Sequence, residues 1–105
     1  VSLIYLIQMN RIGLTPHNRI YFKDLESRFI QISDSQAKLF GLNDPSQAEG
    51  KSDFDFFTEE HARKAYADEQ NIIQTNKPLV SVDEHLFFKD KPDIWVSTTK
   101  LPLRD

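Results

Sequence analysis

"IWVSTTKLPLRD", Ile94 to Asp105, is the stretch that decides how this chain reads. On an extended backbone successive side chains point to opposite faces. Ile94, Val96, Thr98 and Lys100 therefore share one face, and Trp95, Ser97, Thr99 and Leu101 share the other. The run has strand chemistry on both faces, yet it carries a lysine in its middle and closes on the turn-like Pro102–Asp105. Each feature needs a physical reason.

Immediately upstream, Leu79–Phe88 alternates in the same way, and "KDKPD" (Lys89–Asp93) joins the two runs as a hairpin. Val82, Glu84, Leu86 and Phe88 then lie with Ile94, Val96, Thr98 and Lys100. This more apolar set is assigned to the inner, helix-covered face. Ser81, Asp83, His85 and Phe87 lie with Trp95 on the outer face, which the N-terminal segment or a second copy of the chain can cover. Around the turn Glu84 falls opposite Thr98 and diagonal to Lys100. A charge near a core has to be paired, and a carboxylate on the neighbouring strand supplies the pairing. This predicts a Glu84–Lys100 ion pair; alternatively, Lys100 anchors an acidic small ligand.

Before the hairpin comes one long helix. Thr58 caps it, Glu59 and Glu60 complement its positive end, and Ala62, Ala65, Tyr66, Ile72 and Ile73 recur at helical spacing. Asn76 suits a left-handed exit, and Pro78 forbids continuation. The helix is expected from Glu59 to Thr75, with Tyr66, Ile72 and Ile73 turned to the sheet. Further upstream, Ile20–Lys23 and Arg28–Ser33 flank the polar turn Asp24–Ser27, a second hairpin signal. Three short helical pieces follow: one capped among Ser33–Ser35 and ended by Gly41, one opening at Pro45 and ended by Gly50, and one capped by Ser52 or Asp53. Helix capping also accounts for the carboxylates Asp53, Asp55, Glu59 and Glu60. Strand, strand, short helices, long helix, strand, strand is an α+β order, an antiparallel sheet with helices on one face.

The first nine residues, "VSLIYLIQM", are almost wholly apolar. Val1, Leu3, Tyr5, Ile7 and Met9 alternate as in a strand, while Leu3, Ile4, Ile7 and Leu14 suit a helical stripe; the helical form is expected, broken by Pro16, His17 and Asn18. A membrane span needs about 18 apolar residues, and Asn10 and Arg11 end the run far short of that, so no membrane contact is expected within this chain. A start at Val1 rather than Met reads as a piece of a longer polypeptide.

The chain has 105 residues, enough for one domain and one modest core. Its net charge of −3, with no basic stripe, speaks against nucleic acid as a partner. Cysteine is absent, which removes disulfides, thiolate metal sites and thiol nucleophiles together and suits a cytoplasmic setting. His17, His61 and His85 have no metal-ligand spacing. No nucleophile elbow and no glycine-rich phosphate loop is present.

"IYFKDLESRFIQIS…A..LFGL" (from Ile20), "GKSDFDFF" (Gly50–Phe57), a long helix ending "QTNKP" (Gln74–Pro78) and "WVSTTKLPLRD" (Trp95–Asp105) occur in this order and together resemble a PAS domain, the small sensory module of bacterial signalling proteins. Ser33 stands where many members have Asn, and Asn76 where they usually have Gly; local geometry allows both. The resemblance implies a domain from 19 to 105, with residues 1–18 as a flanking helix or dimerisation element. It implies a five-stranded sheet whose last strand would follow "PLRD", so that strand is expected to be missing, its edge left open or covered by the N-terminal segment.

The resemblance also implies a non-catalytic sensory or regulatory role in a multidomain signal-transduction protein, its effector domain a histidine kinase or a cyclic-dinucleotide cyclase or phosphodiesterase. A homodimer and an unidentified small ligand are expected. A ligand between long helix and sheet would meet residues among Tyr21, Phe29, Leu39, Phe54, Phe57, Tyr66, Ile73, Glu84, Leu86, Val96, Thr98 and Lys100. Haem is not expected, because His61 sits in the first turn of the long helix, where capping or solvent contact is the ordinary role. A flavin photosensor would need the cysteine this chain lacks. The rival from another class is a small α+β enzyme with a cone-shaped cavity that uses Asp or His for proton transfer.

Overall fold

The computed structural model describes residues 3–10 and 18–103, with side chains from Arg19 to Leu103. The order is β1 (Leu3–Asn10), β2 (Asn18–Lys23), β3 (Phe29–Ile32), α1 (Asp34–Leu39), 3-10 turns at Pro45–Ala48 and Asp53–Asp55, α2 (Glu59–Thr75), β4 (Leu79–Leu86) and β5 (Ile94–Leu103). One antiparallel sheet runs β3-β2-β1-β5-β4. The α+β expectation holds.

The local signals act where the sequence puts them. Ser33 caps α1 by accepting from the Gln36 amide, and its hydroxyl also accepts from the Ile20 amide, which ties the helix start to β2. Thr58 caps α2, and Asn76 ends it in the left-handed region at φ 58°. Gly41 and Gly50 take φ of 75° and 80°, where a side chain would be strained.

Leu3–Asn10 is a strand, not the helix expected from its apolar run, and it occupies the middle of the sheet rather than flanking it. Its backbone pairs with β2 (Ile7 opposite Ile20) and with β5 (Ile7 opposite Thr99). Between β2 and β5 both rows of backbone N–H and C=O groups need partners, and only an extended segment serves two ladders at once. The sheet thus reaches five strands through β1, and the edge that seemed open is covered by the N-terminal segment. The breaker at Pro16–His17 and the closing Arg104–Asp105 lie outside the described residues.

Pro102 is not the start of a turn, because β5 continues through it to Leu103. A proline lacks a ladder donor, but β4 has already ended alongside Lys100, so on that side no bond is lost.

The face assignment of the hairpin holds from Leu86 to Lys100, but Val82, assigned inward, is 43% exposed beside the register shift that follows Leu79. Leu86, Val96, Thr98, Lys100 and Phe88 are buried, whereas Trp95 and Phe87 are 46% and 43% exposed. On the inner face Tyr21, Phe29, Ile32, Phe40, Phe57, Leu86, Phe88 and Val96 form one core. Phe40 stacks on Phe56 at 4.0 Å between ring centres, and Phe57 stacks on Phe88 at 4.9 Å.

The α2 stripe is shifted from the one expected. Tyr66 is 44% exposed, while His61, Ala62, Ala65, Glu69 and Ile72 turn inward. Apolarity alone put Tyr66 in the stripe. The inward row runs instead through an acid, Glu69, because the sheet presents charge at that point.

Candidate functional site

Two lysines reach the inner face from different strands. Lys23 is the last residue of β2 and completely buried; Lys100, in β5, is 2% exposed. Between them lies Glu69 of α2, also fully buried. Lys23 Nζ donates to Glu69 Oε1 and Oε2 at 3.0 and 2.8 Å and to Asp53 Oδ2 at 2.6 Å. Lys100 Nζ donates to Glu69 Oε2 at 2.9 Å. The expected Glu84–Lys100 ion pair is therefore corrected: the partner is Glu69. A lysine side chain standing up from the sheet reaches the covering helix, and there a fully buried carboxylate binds two ammonium groups at once. Glu84 instead accepts from Thr98 Oγ1 at 2.8 Å.

Asp53 is corrected too. It is buried on Lys23 rather than serving as a helix cap, and Ser52 and Asp55 do the capping. Two lysines against two carboxylates make the cluster neutral, as buried charge must be. Lys23 Nζ also lies 4.9 Å from the centre of the Phe29 ring, a cation–π contact.

The two carboxyls respond in opposite senses. Burial pushes Glu69 up, but Lys100 and Lys23 together outweigh it and bring its pKa down to about 2. For Asp53 burial prevails over its one close lysine, and the negative charge of Glu69 adds to the rise, so its pKa is raised. Burial alone would lower Lys100, yet Glu69, Glu84 and Asp53 raise it. Tyr21 is pushed well above the ordinary phenol range by burial and then by Asp53 and Glu69.

Lys100 also forms part of the floor of a cleft of about 640 Å³ between the first half of α2 and the β4–β5 hairpin. His61 and Lys64 come from α2; Val82 and Glu84 come from β4; Phe87 and Trp95 close the rim. The cleft mouth is held at one end by backbone bonds, since the Thr58 amide donates to the Phe87 carbonyl at 2.8 Å. His61 was expected to cap or to meet solvent; it is only 9% exposed, its ring 4.7 Å from that of Phe57. Burial lowers its pKa, against smaller upward pulls from Glu84 and Asp53. Outside the helix, His85 stacks on Trp95 at 4.5 Å and pairs with Asp93.

Of the ligand-contact candidates, Glu84, Thr98 and Lys100 line this cleft. Tyr21, Phe29, Phe57, Leu86 and Val96 belong to the packed core, with Leu39 and Ile73 against it. Phe54 and Tyr66 line a separate small cleft of about 150 Å³ beside Asp53. Sequence reasoning missed Lys23, Asp53 and Glu69 as a charge cluster and His61 as a cleft residue. Lys23 did carry a signal, standing two residues after Tyr21 on the inward face.

A five-stranded antiparallel sheet with its helices on one face is the architecture the sequence resemblance implied, and the PAS fold family model matches residues 18–105. The chain belongs to the PAS fold family. That match starts one residue from the boundary expected at 19 and leaves β1 outside it. No curated protein and no solved structure gives a match. Membership makes the domain a PAS module of the sensory and signalling kind. Among the described residues no helix is long and apolar enough to cross a membrane.

Proposed function

We propose that this PAS domain is a non-catalytic ligand sensor, part of a multidomain cytoplasmic signal-transduction protein whose output is a histidine kinase or a cyclic-dinucleotide cyclase or phosphodiesterase. The observation that carries this reading is the cleft between α2 and the β4–β5 hairpin. Its volume of about 640 Å³ falls in the range of small-molecule pockets. Its floor includes Lys100, which reaches α2 through Glu69. A ligand with unequal affinity for two α2–sheet packings shifts the balance between them, and the Lys23–Glu69–Lys100 contacts are where such a shift would be felt. Against proton-transfer chemistry stands the use of Asp53 and Glu69, both committed to lysines.

A homodimer would use the apolar edge of the hairpin, where Trp95 and Phe87, which also rim the cleft, expose large side chains, and exposed apolar patches mark interaction sites. Sedimentation of wild type against Trp95→Glu tests that part, with a monomeric variant expected and unchanged wild-type monomers counting against it. For the sensor role, the purified protein is denatured and its small-molecule extract examined by mass spectrometry, with Val82→Trp as a cleft-filling control. A compound present in wild type and lost in the control is the expected result. An empty extract, together with no thermal shift from any added small molecule, would reject the sensor reading.

A further inference from the structure

We propose that the cleft selects a small organic cation, an amine on an apolar or aromatic body, and that Glu84 receives its ammonium group. This rests on the cleft being the sensory pocket. An acidic ligand anchored by Lys100 was the expectation from sequence. But Lys100 is 2% exposed and its ammonium group already donates to Glu69 at 2.9 Å. An incoming acid would have to displace a buried carboxylate that also holds Lys23, and would bring negative charge toward Glu69 and Glu84. The second lysine of the cleft, Lys64, is engaged by Asp68 at 3.1 Å. Lys100 is therefore not on offer, and Lys64, 74% exposed, stands at the solvent side of the cleft, where its charge is screened.

Glu84 is placed differently. Among the described residues its one hydrogen bond is the 2.8 Å contact from the Thr98 hydroxyl to Oε1, which leaves Oε2 without a protein donor. It is half-buried in a cleft walled by Leu79, Val82, His61, Phe87 and Trp95. A partly desolvated carboxylate gains most from a charged donor, and aromatic rings favour a cation nearby. His61 does not repel such a ligand at neutral pH, since burial holds its pKa below the ordinary imidazole value. No three His, Asp or Glu side chains among the described residues converge as a metal ion would require, which points to an ammonium group with directed N–H donors.

The test uses the whole chain and a panel of butyl, phenylethyl and indolylethyl bodies, each as amine, alcohol and carboxylate. Calorimetry and thermal shift are read at neutral pH for wild type and Glu84→Gln. At least one amine should bind and raise the melting temperature of wild type, while its matched alcohol and acid should not. Glu84→Gln keeps an acceptor for Thr98 but removes one of the charges that favour the Lys100 ammonium, so the unliganded melting temperature should fall far less than in Glu69→Gln. Amine affinity should fall by about ten- to a hundredfold, the worth of a hydrogen bond to a charged group. Binding of an acid or alcohol in place of the amines would overturn the ligand class and leave the cleft a ligand pocket. Amine binding unchanged by Glu84→Gln would overturn the role of Glu84. Failure of the whole panel would overturn the inference, and the extract experiment above then says whether the sensor reading falls with it.

Discussion

Glu69→Gln should cost about 4 kcal/mol, a large share of the roughly 5–15 kcal/mol that stabilises a domain of this size. The change keeps the shape and removes the charge that holds Lys23 at 2.8 Å and Lys100 at 2.9 Å. Lys23 retains Asp53; Lys100 loses the carboxylate to which its ammonium group donates. Breaking a buried pair by removing one partner costs about 3–5 kcal/mol, because the remaining charge stays in a poor solvent for it. Linkage gives a similar figure. A carboxyl at about 2 in the fold against 4.5 outside it contributes about 3 kcal/mol. Since the folded value is depressed, that contribution is fully present above the unfolded pKa and is lost as pH falls from about 4.5 towards 2. Asp53 has the opposite sign: its raised carboxyl withholds stability above its unfolded pKa, and because the charge of Glu69 is one cause of that rise, Glu69→Gln also relieves part of it. Urea unfolding followed by circular dichroism and by Trp95 fluorescence measures the effect. A midpoint shift with unchanged slope is expected, and the melting temperature should drop by roughly 15–30 °C. The gap between wild type and variant should narrow between about pH 5 and 2. A loss below about 1 kcal/mol, the scale of an exposed pair, or a gap independent of pH, would refute the buried network.

Three further outcomes follow from particular contacts. Ile72→Ala, at a 1% exposed position, should cost about 3 kcal/mol, and Tyr66→Ala, on the exposed side of the same helix, under about 1 kcal/mol; thermal melts of the two variants compare them directly. Asn76→Val should cost about 1–2 kcal/mol, because a β-branched residue is strained at φ 58°, whereas Asn76→Gly should not destabilise. Ser33→Ala should cost about 1–2 kcal/mol in chemical denaturation, since it removes both the cap of α1 and the acceptor for the Ile20 amide.

Much of this fold is legible because local chemistry and tertiary need agree. The α2 bounds follow from Thr58, Asn76 and Pro78, and the hairpin faces follow from alternation alone. The misses have a common physical origin. Residues 3–10 carry a pattern that serves a helix or a strand equally, and what decides is the demand of β2 and β5 for a central partner, which no local window contains. Apolar helical spacing places Tyr66 inward, although Glu69 is the residue the sheet requires. The cleft was legible only in part, at Glu84, Thr98 and Lys100, because which rings line it depends on how the start of α2 meets Phe87.

The misplaced partner of Lys100 shows what the sequence did contain. Three elements carry charge on their inward rows: Lys23 after Tyr21 in β2, where Arg19 is buried too, Lys100 after Thr98 in β5, and Glu69 between Ala65 and Ile72 in α2. Taken within its own hairpin, Lys100 has only Glu84 as a partner, and cross-strand pairing selects it. Taken across the three elements, the opposite charges meet, because a helix packed on a sheet brings its inward row over the inward rows of the strands. A second acid is still needed for neutrality, and Asp53 supplies it from the turn that leads into α2. Glu84 stands outside these hydrogen bonds and acts on Lys100 only through its field. A carboxylate set in a cleft, outside the hydrogen bonds that hold the two lysines, is the one placed to meet a charge from outside.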